Sequence, residues 1–409
     1  MDFIIISAVI PIALGLLPNV NSKLLPNKLT KNHISRIKNY KYTVVDTSPT
    51  LKYTNPCYNY LSQFCADWMS PNFVTLSGIF FQLCYYSLDC YYNPGQNDPS
   101  NIPRYVAFVT SFFHLLGFTL DSIDGKLARR RGTSNFTGEL LDHGLDTVVH
   151  MNVSMVCCSA MSCKISNPWA KMYINFGPSI AMTSLMVSKL FEGRLDMPWT
   201  GEPGHIIFSS LYLYFGLSGK IDMSDKVIWF LLFIYFPLLY FEALKCFYDC
   251  FRKYGKQVFW VTLPYIVNIA SFILLNLVLD ILGGKSEHNV SAQKEYPYIV
   301  RFFYFAFNMK NASLTYRLIF SQTVEINLAI WTSKLIYFYL DVWLIILGCW
   351  IWPVSNFWKF VMLGYLVAYD TFSFVHGFYR ILRLSADVLG VNLLLVKDDS
   401  KGDTCERAE

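Results

Sequence analysis

Apolar residues in this chain run in long blocks rather than alternating with polar ones. Blocks at about 73–93, 104–123, 139–163, 169–191, 205–218, 226–248, 256–282, 313–331, 333–351 and 355–380 approach the roughly 20 residues a helix needs to cross a bilayer. A membrane barrel would instead show short alternating segments. The pattern predicts an all-α, polytopic transmembrane helical bundle of about ten spans. Residues 3–17 add a short apolar start. It carries Asp2 and no preceding Lys or Arg, a poor match to a secretory signal. A retained membrane-dipping or spanning segment is at least as good a reading as a cleaved one.

The polar stretches set the limits of these blocks. Residues 29–42 read as an amphipathic segment carrying His33, Arg36, Lys38 and Lys41, suited to a membrane surface. The longest interruption, 283–298, opens with Gly283 and Gly284 and reads as a loop. The division expected is an N-terminal hydrophobic and interfacial segment (1–70), a transmembrane catalytic domain (71–396) and a disordered, charged cytosolic tail (397–409).

Composition agrees. Of 409 residues, 54% are hydrophobic and only 15% charged, where a soluble domain carries about a quarter charged residues. The net charge of +5 is modest, and Arg129, Arg130 and Arg131 concentrate part of it. That cluster is expected on the cytosolic side. Without a basic stripe or basic domain, nucleic acid is not an expected partner. The eleven cysteines are scattered and read as small buried hydrophobes.

Against this apolar background four aspartates stand out. Asp121 and Asp124 share one helical face with Gly125 and Ala128, at spacing i, i+3, i+4, i+7. Gly138, Asp142 and Asp146 share another, at i, i+4, i+8. A short turn around 131–137 joins the two helices, so they pack antiparallel and the carboxylate pairs face each other. Ionisable groups beside hydrocarbon are costly and mark function by default. Simple pairing with Lys126 or the arginines would explain one or two aspartates better than four on matched faces. Four carboxylates suit two hard divalent cations, Mg²⁺ or Mn²⁺, acting at phosphorus. Zinc is disfavoured, because no Cys or His cluster joins them. The small residues let a base or pyrophosphate approach the helices, and Arg129 can meet phosphate oxygens.

The spacing resembles the signature of the CDP-alcohol phosphotransferase family, Asp-x2-Asp-Gly-x2-Ala-Arg-x8-Gly-x3-Asp-x3-Asp, with every fixed position present from Asp121 to Asp146. Tyr40, Lys41 and Tyr42, the stretch from Ser70 to Gly78, and the run from Gly138 to Gly144 are similar to its eukaryotic choline/ethanolamine phosphotransferase branch. The resemblance implies transfer of phosphoethanolamine or phosphocholine from CDP-ethanolamine or CDP-choline to diacylglycerol, with release of CMP. It implies Asp121, Asp124 and Asp142 as metal ligands. Asp146 becomes the general base, with possible metal contact, and His143 its rival. Gly125, Ala128, Arg129 and Gly138 would line the CDP site, with Asn72 and Thr75 nearby and Glu192 in an auxiliary role. His143, one residue past Asp142, points about 100° away on the helix, toward a lipid hydroxyl rather than the metals. Gly193, Arg194, Leu195 and Asp196, running on to Trp199, lean toward ethanolamine. The branch occupies endoplasmic reticulum and Golgi membranes. Its members are often dimers, so a homodimer in the lipid bilayer with its site facing the cytosol is one expected arrangement. Two other readings use the same residues: a CDP-diacylglycerol-dependent phosphatidyltransferase and an ion-coupled membrane transporter.

Overall fold

The computed structural model describes residues 29–41, 43–46, 48–96, 99–161, 167–197, 199–219, 224–283, 299–324, 340–351 and 356–394. The apolar start, the tail, Tyr42, Pro198 and Glu325 lie outside them. So does nearly all of the 283–298 loop.

The described chain is built mainly of helices. A short helix α1 (Lys31–Lys38) opens with a reciprocal cap. The Thr30 hydroxyl accepts from the His33 N–H at 3.2 Å, and His33 Nδ1 accepts from the Thr30 N–H. Its one buried residue, Ile37, faces the protein. The amphipathic segment expected at a membrane surface thus docks by its apolar side onto two later helices, Ile299–Val324 and Asn356–Leu389. Strand β1 (Val44–Asp46) and helix α2 (Leu51–Leu61) follow.

The bundle proper comprises α3 (Pro71–Tyr92), α4 (Arg104–Arg130), α5 (Phe136–Met161), α6 (Pro168–Glu192), α7 (Gly201–Ser218) and α8 (Asp225–Tyr254). It continues with α9 (Lys256–Gly283), α10 (Ile299–Val324), α11 (Leu340–Ile351) and α12 (Asn356–Leu389). Within α8 the backbone makes one π-turn at Leu231–Tyr235, next to Pro237. Proline has no N–H to continue the regular ladder. Strand β2 (Leu195–Met197) pairs in parallel with β1, Val44 opposite Leu195. This short pair, which the all-α reading did not anticipate, ties the N-terminal segment to the α6–α7 connection.

Three described helices are long and apolar enough to cross a membrane: Arg104–Arg130, Asp225–Tyr254 and the Lys256–Leu277 part of α9. This is a helical membrane protein, and the count of about ten spans is met only in part. The other described helices do not meet that hydropathy criterion, and several of them carry charges. Their charges are spent inside the protein. Arg301 on α10 meets Asp89 on α3 at 2.6 Å, and Lys310 on α10 meets Asp370 on α12 at 2.8 Å. Lys189 on α6 pairs with Glu139 on α5. Each partner is nearly inaccessible, as expected when a charge in a bundle faces the interior and finds its opposite. These pairs also explain a boundary error: α10 begins at Ile299, not near 313, because Arg301, Asn308 and Lys310 read as polar interruptions but are buried. Carboxylates outside the signature have structural partners of this kind: Asp370 in its pair with Lys310, and Glu242, which accepts from Thr200. Outward, α8 presents Trp229, Phe233, Phe241, Leu244 and Tyr248, an apolar face suited to lipid.

Candidate active site

Two glycines bring the first layer of the site together. A Cβ at Gly78 would stand 2.9 Å from the Gly117 carbonyl, and one at Gly117 would stand 2.9 Å from the Gly78 carbonyl. The absence of both side chains lets α3 and α4 touch backbone to backbone. Ser70 starts α3 by accepting from the Phe73 N–H, with Pro71 at the first helical position. One turn later Thr75 is buried against α4, where its hydroxyl donates to the Asp124 carboxylate. The α4–α5 turn closes through Gly132, at φ +66°, a conformation that favours glycine. Asn135 then caps α5 by accepting from the Gly138 N–H at 2.9 Å.

The antiparallel hairpin sets the aspartates face to face. Oxygens of Asp121, Asp124 and Asp142 all lie within 4.8 Å of one another, as do ligand atoms of Asp142, His143 and Asp146. Asp142 belongs to both groups, so the four carboxylates form one continuous cluster. Among the described residues no lysine or arginine ion-pairs with any of them. Arg131 instead holds the carbonyls of Met69, Cys65 and Ala66. Carboxylates this close repel strongly where solvent is excluded. The all-oxygen set of Asp121, Asp124 and Asp142 fits a hard cation.

The structure turns His143 toward the carboxylates, contrary to the orientation expected from helix geometry alone. Its Nδ1 lies 3.2 Å from Asp146 Oδ2 and 3.7 Å from Asp142 Oδ2. Gly125 gives space to Arg129, whose guanidinium sits 3.3 Å from where a Cβ would be. Gly138 does the same for Asn72, whose Oδ1 would be 3.3 Å from an added Cβ. Asn72 and Gly138 therefore meet at the mouth of the hairpin. They and Ala128 are absent from the wall of the adjoining cavity, while Thr75, Gly125 and Arg129 line it. Glu192 is elsewhere, paired with Lys253 at 2.8 Å.

That cavity, of about 770 Å³, starts at the aspartates and continues between α5, α6, α7 and α8 along Met182, Leu185, Phe236 and Leu239. It joins a polar, anionic end to an apolar one. Its wall includes a carboxylate that the sequence reading passed over, Glu202 in the first turn of α7. Glu202 accepts from the hydroxyls of Ser48 at 3.2 Å, Tyr58 at 3.3 Å and Thr50. Burial, reinforced by Glu202, pushes the Tyr58 hydroxyl above its usual range, so it stays a donor. An acidic residue opening an otherwise apolar helix was the available signal.

The chain is also similar in sequence to known proteins. The sequence profile of the CDP-alcohol phosphatidyltransferase family matches residues 68–272, half of the chain. The chain is 35% identical over 113 residues to human ethanolaminephosphotransferase 1, covering 26% of this chain and 28% of the human protein. To choline/ethanolaminephosphotransferase 1 of Arabidopsis thaliana it is 25% identical over 267 residues, 59% of this chain and 68% of that protein. To the Saccharomyces cerevisiae protein named choline/ethanolaminephosphotransferase 1 it is 36% identical over 118 residues, 29% of this chain and 30% of the other. The matched stretches thus span under a third of the human and yeast proteins.

Proposed function

Since the chain belongs to the CDP-alcohol phosphatidyltransferase family, we propose that it transfers phosphoethanolamine or phosphocholine from CDP-ethanolamine or CDP-choline to diacylglycerol. The products are CMP and phosphatidylethanolamine or phosphatidylcholine. The observation that carries the reading is the position of the aspartate cluster, at the junction of a polar cleft with an apolar cavity. A soluble nucleotide and a lipid can meet only at such a junction. The names of the relatives from human, plant and yeast support the same substrates.

Asp121, Asp124, Asp142 and Asp146 would hold two Mg²⁺ or Mn²⁺ ions. Such ions, when bound, neutralise charge on the pyrophosphate. Thr75 fixes Asp124. Arg129, freed to lie over Gly125, is placed for a phosphate oxygen. Gly125 keeps the cleft open to the cytidine diphosphate, with Gly138 and Asn72 at its mouth. Asp146 takes the proton of the diacylglycerol hydroxyl. The hydroxyl oxygen then bonds to the phosphorus that carries the aminoalcohol, and the bond from that phosphorus to the CMP oxygen breaks. His143 Nδ1, 3.2 Å from Asp146, orients that carboxylate rather than serving as the base itself. The protein works as a multi-pass enzyme of the endoplasmic reticulum or Golgi membrane, with this cleft toward the cytosol.

The test is CMP release by purified protein in lipid, given diacylglycerol, Mg²⁺ and each CDP-aminoalcohol in turn. Turnover that stops with chelator and returns with Mg²⁺ is expected. No CMP from either donor would refute the reading.

A further inference from the structure

Three histidines outside the aspartate signature form a connected set, two of them, His150 and His205, in the wall of the same cavity. His150 lies one helical turn beyond Asp146 on α5, a rise of about 6 Å. Its Nδ1 is 2.7 Å from the Asp146 carbonyl. A carbonyl only accepts, so Nδ1 carries the hydrogen and Nε2 of the uncharged ring is an acceptor. His114 on α4 is fully buried. Its Nδ1 faces the Gln82 amide oxygen at 3.2 Å, with Tyr85 Oη at 3.3 Å. Its Nδ1 therefore donates, and its Nε2 accepts from His205 Nδ1 on α7 at 3.2 Å. That leaves His205 Nε2 an acceptor as well.

Both outer rings are held in place. His205 stacks on Phe118 at 4.3 Å, and its edge is held by the nearly parallel His114 ring through that hydrogen bond. His150 stands 5.8 Å from His205 at 65°. His150 and His205 line the cavity. Among the described residues neither Nε2 has a hydrogen-bond partner. Two fixed acceptors in a largely apolar cavity call for a ligand that brings N–H or O–H donors.

We infer that His150 and His205 receive the head-group ammonium of the CDP-aminoalcohol and select a primary ammonium over a quaternary one. The inference rests on the transfer reaction proposed above. With the phosphoryl group at the aspartates, a two-carbon arm reaches one helical turn deeper, to His150. A primary ammonium supplies three N–H donors for the two imidazoles. A trimethylammonium supplies none and leaves both acceptors unpaired. A site built to hydrogen-bond a donor rejects the analogue that lacks it.

The experiment measures kcat/KM for CDP-ethanolamine and for CDP-choline, with diacylglycerol, on the full chain in lipid. The proteins are wild type, His150→Phe, His205→Phe and His205→Gln. Wild type is expected to prefer CDP-ethanolamine. Each Phe variant should lose about 10- to 100-fold on CDP-ethanolamine, chiefly through KM, while CDP-choline changes much less. His205→Gln keeps an acceptor and should recover most of the preference, which also separates the effect from misfolding. Equal losses on both donors, or a raised KM for diacylglycerol alone, would assign the pair to the lipid hydroxyl or to packing and overturn the inference. A wild type that prefers CDP-choline would overturn it too. If wild type releases CMP but the donor ratio does not move, only the head-group assignment fails. If wild type releases none, both readings fail.

Discussion

Replacing Thr75 with valine removes one hydrogen bond and almost no volume. Thr75 is 3% exposed and Asp124 5%, so solvent replaces little of the lost contact. The Thr75 hydroxyl has a second acceptor in reach, the Pro71 carbonyl at 3.2 Å, but Asp124 has no comparable second side-chain donor among its hydrogen bonds. A hydrogen bond to a charged group contributes about 1.5–3 kcal/mol, and an unpaired buried acceptor costs about as much. With tenfold per 1.4 kcal/mol, the expected loss is about 10- to 100-fold. Partners that orient a metal-binding carboxylate act mainly on metal affinity, by about the same factor. The assay is CMP release against Mg²⁺ concentration. Thr75→Val should raise half-saturating Mg²⁺ about 10- to 100-fold, and saturating Mg²⁺ should recover most of the loss. Thr75→Ser should stay near wild type. An unchanged Mg²⁺ curve would show that Asp124 is held without Thr75 and refute the reasoning.

Asp146→Asn keeps the shape of the site and removes the proton acceptor. CMP release should fall by about 10²- to 10⁴-fold, while thermal unfolding in detergent changes little; retained activity would exclude Asp146 as the base. Gly117→Val puts a side chain 2.8 Å from Gln82 Nε2 and 2.9 Å from the Gly78 carbonyl. It should destabilise the protein by about 1–3 kcal/mol, visible as a lower melting temperature. Arg301→Met strands Asp89 in the interior and should cost about 3–5 kcal/mol. Adding Asp89→Leu should restore most of that stability in the same melt; a double variant no better than the single one would show that Arg301 acts through the Asn93 and Pro94 carbonyls.

The clustered aspartates were legible because helical periodicity alone puts them on faces, and a short turn makes those faces meet. Glu192 shows the limit of that method. Read from the chain it sits in a suggestive place, but its partner Lys253 is 61 residues away. The cavity carboxylate is Glu202, whose donors come from Ser48, Thr50 and Tyr58. The acidic start of α7 is a local signal, but nothing local announces the donors that gather around it. His143 is similar: the 100° step between neighbours fixes where a Cβ points, not where a flexible ring turns once Asp146 is within 3.2 Å.

The sequence by itself determined the helical membrane class, the four aspartates, their two faces and the type of cation they suit. Each of these follows from hydropathy or from spacing within about two turns of helix. The tertiary structure decided the rest. It set the α3–α4 approach at Gly78 and Gly117, the hydroxyl of Thr75 on Asp124, and the early start of α10. It also brought His150 and His205 from two helices into one cavity wall, with the buried His114 of a third helix bonded to His205. These depend on which helix lies against which, and in a bundle that is settled by interhelical packing and by buried charges finding partners far along the chain.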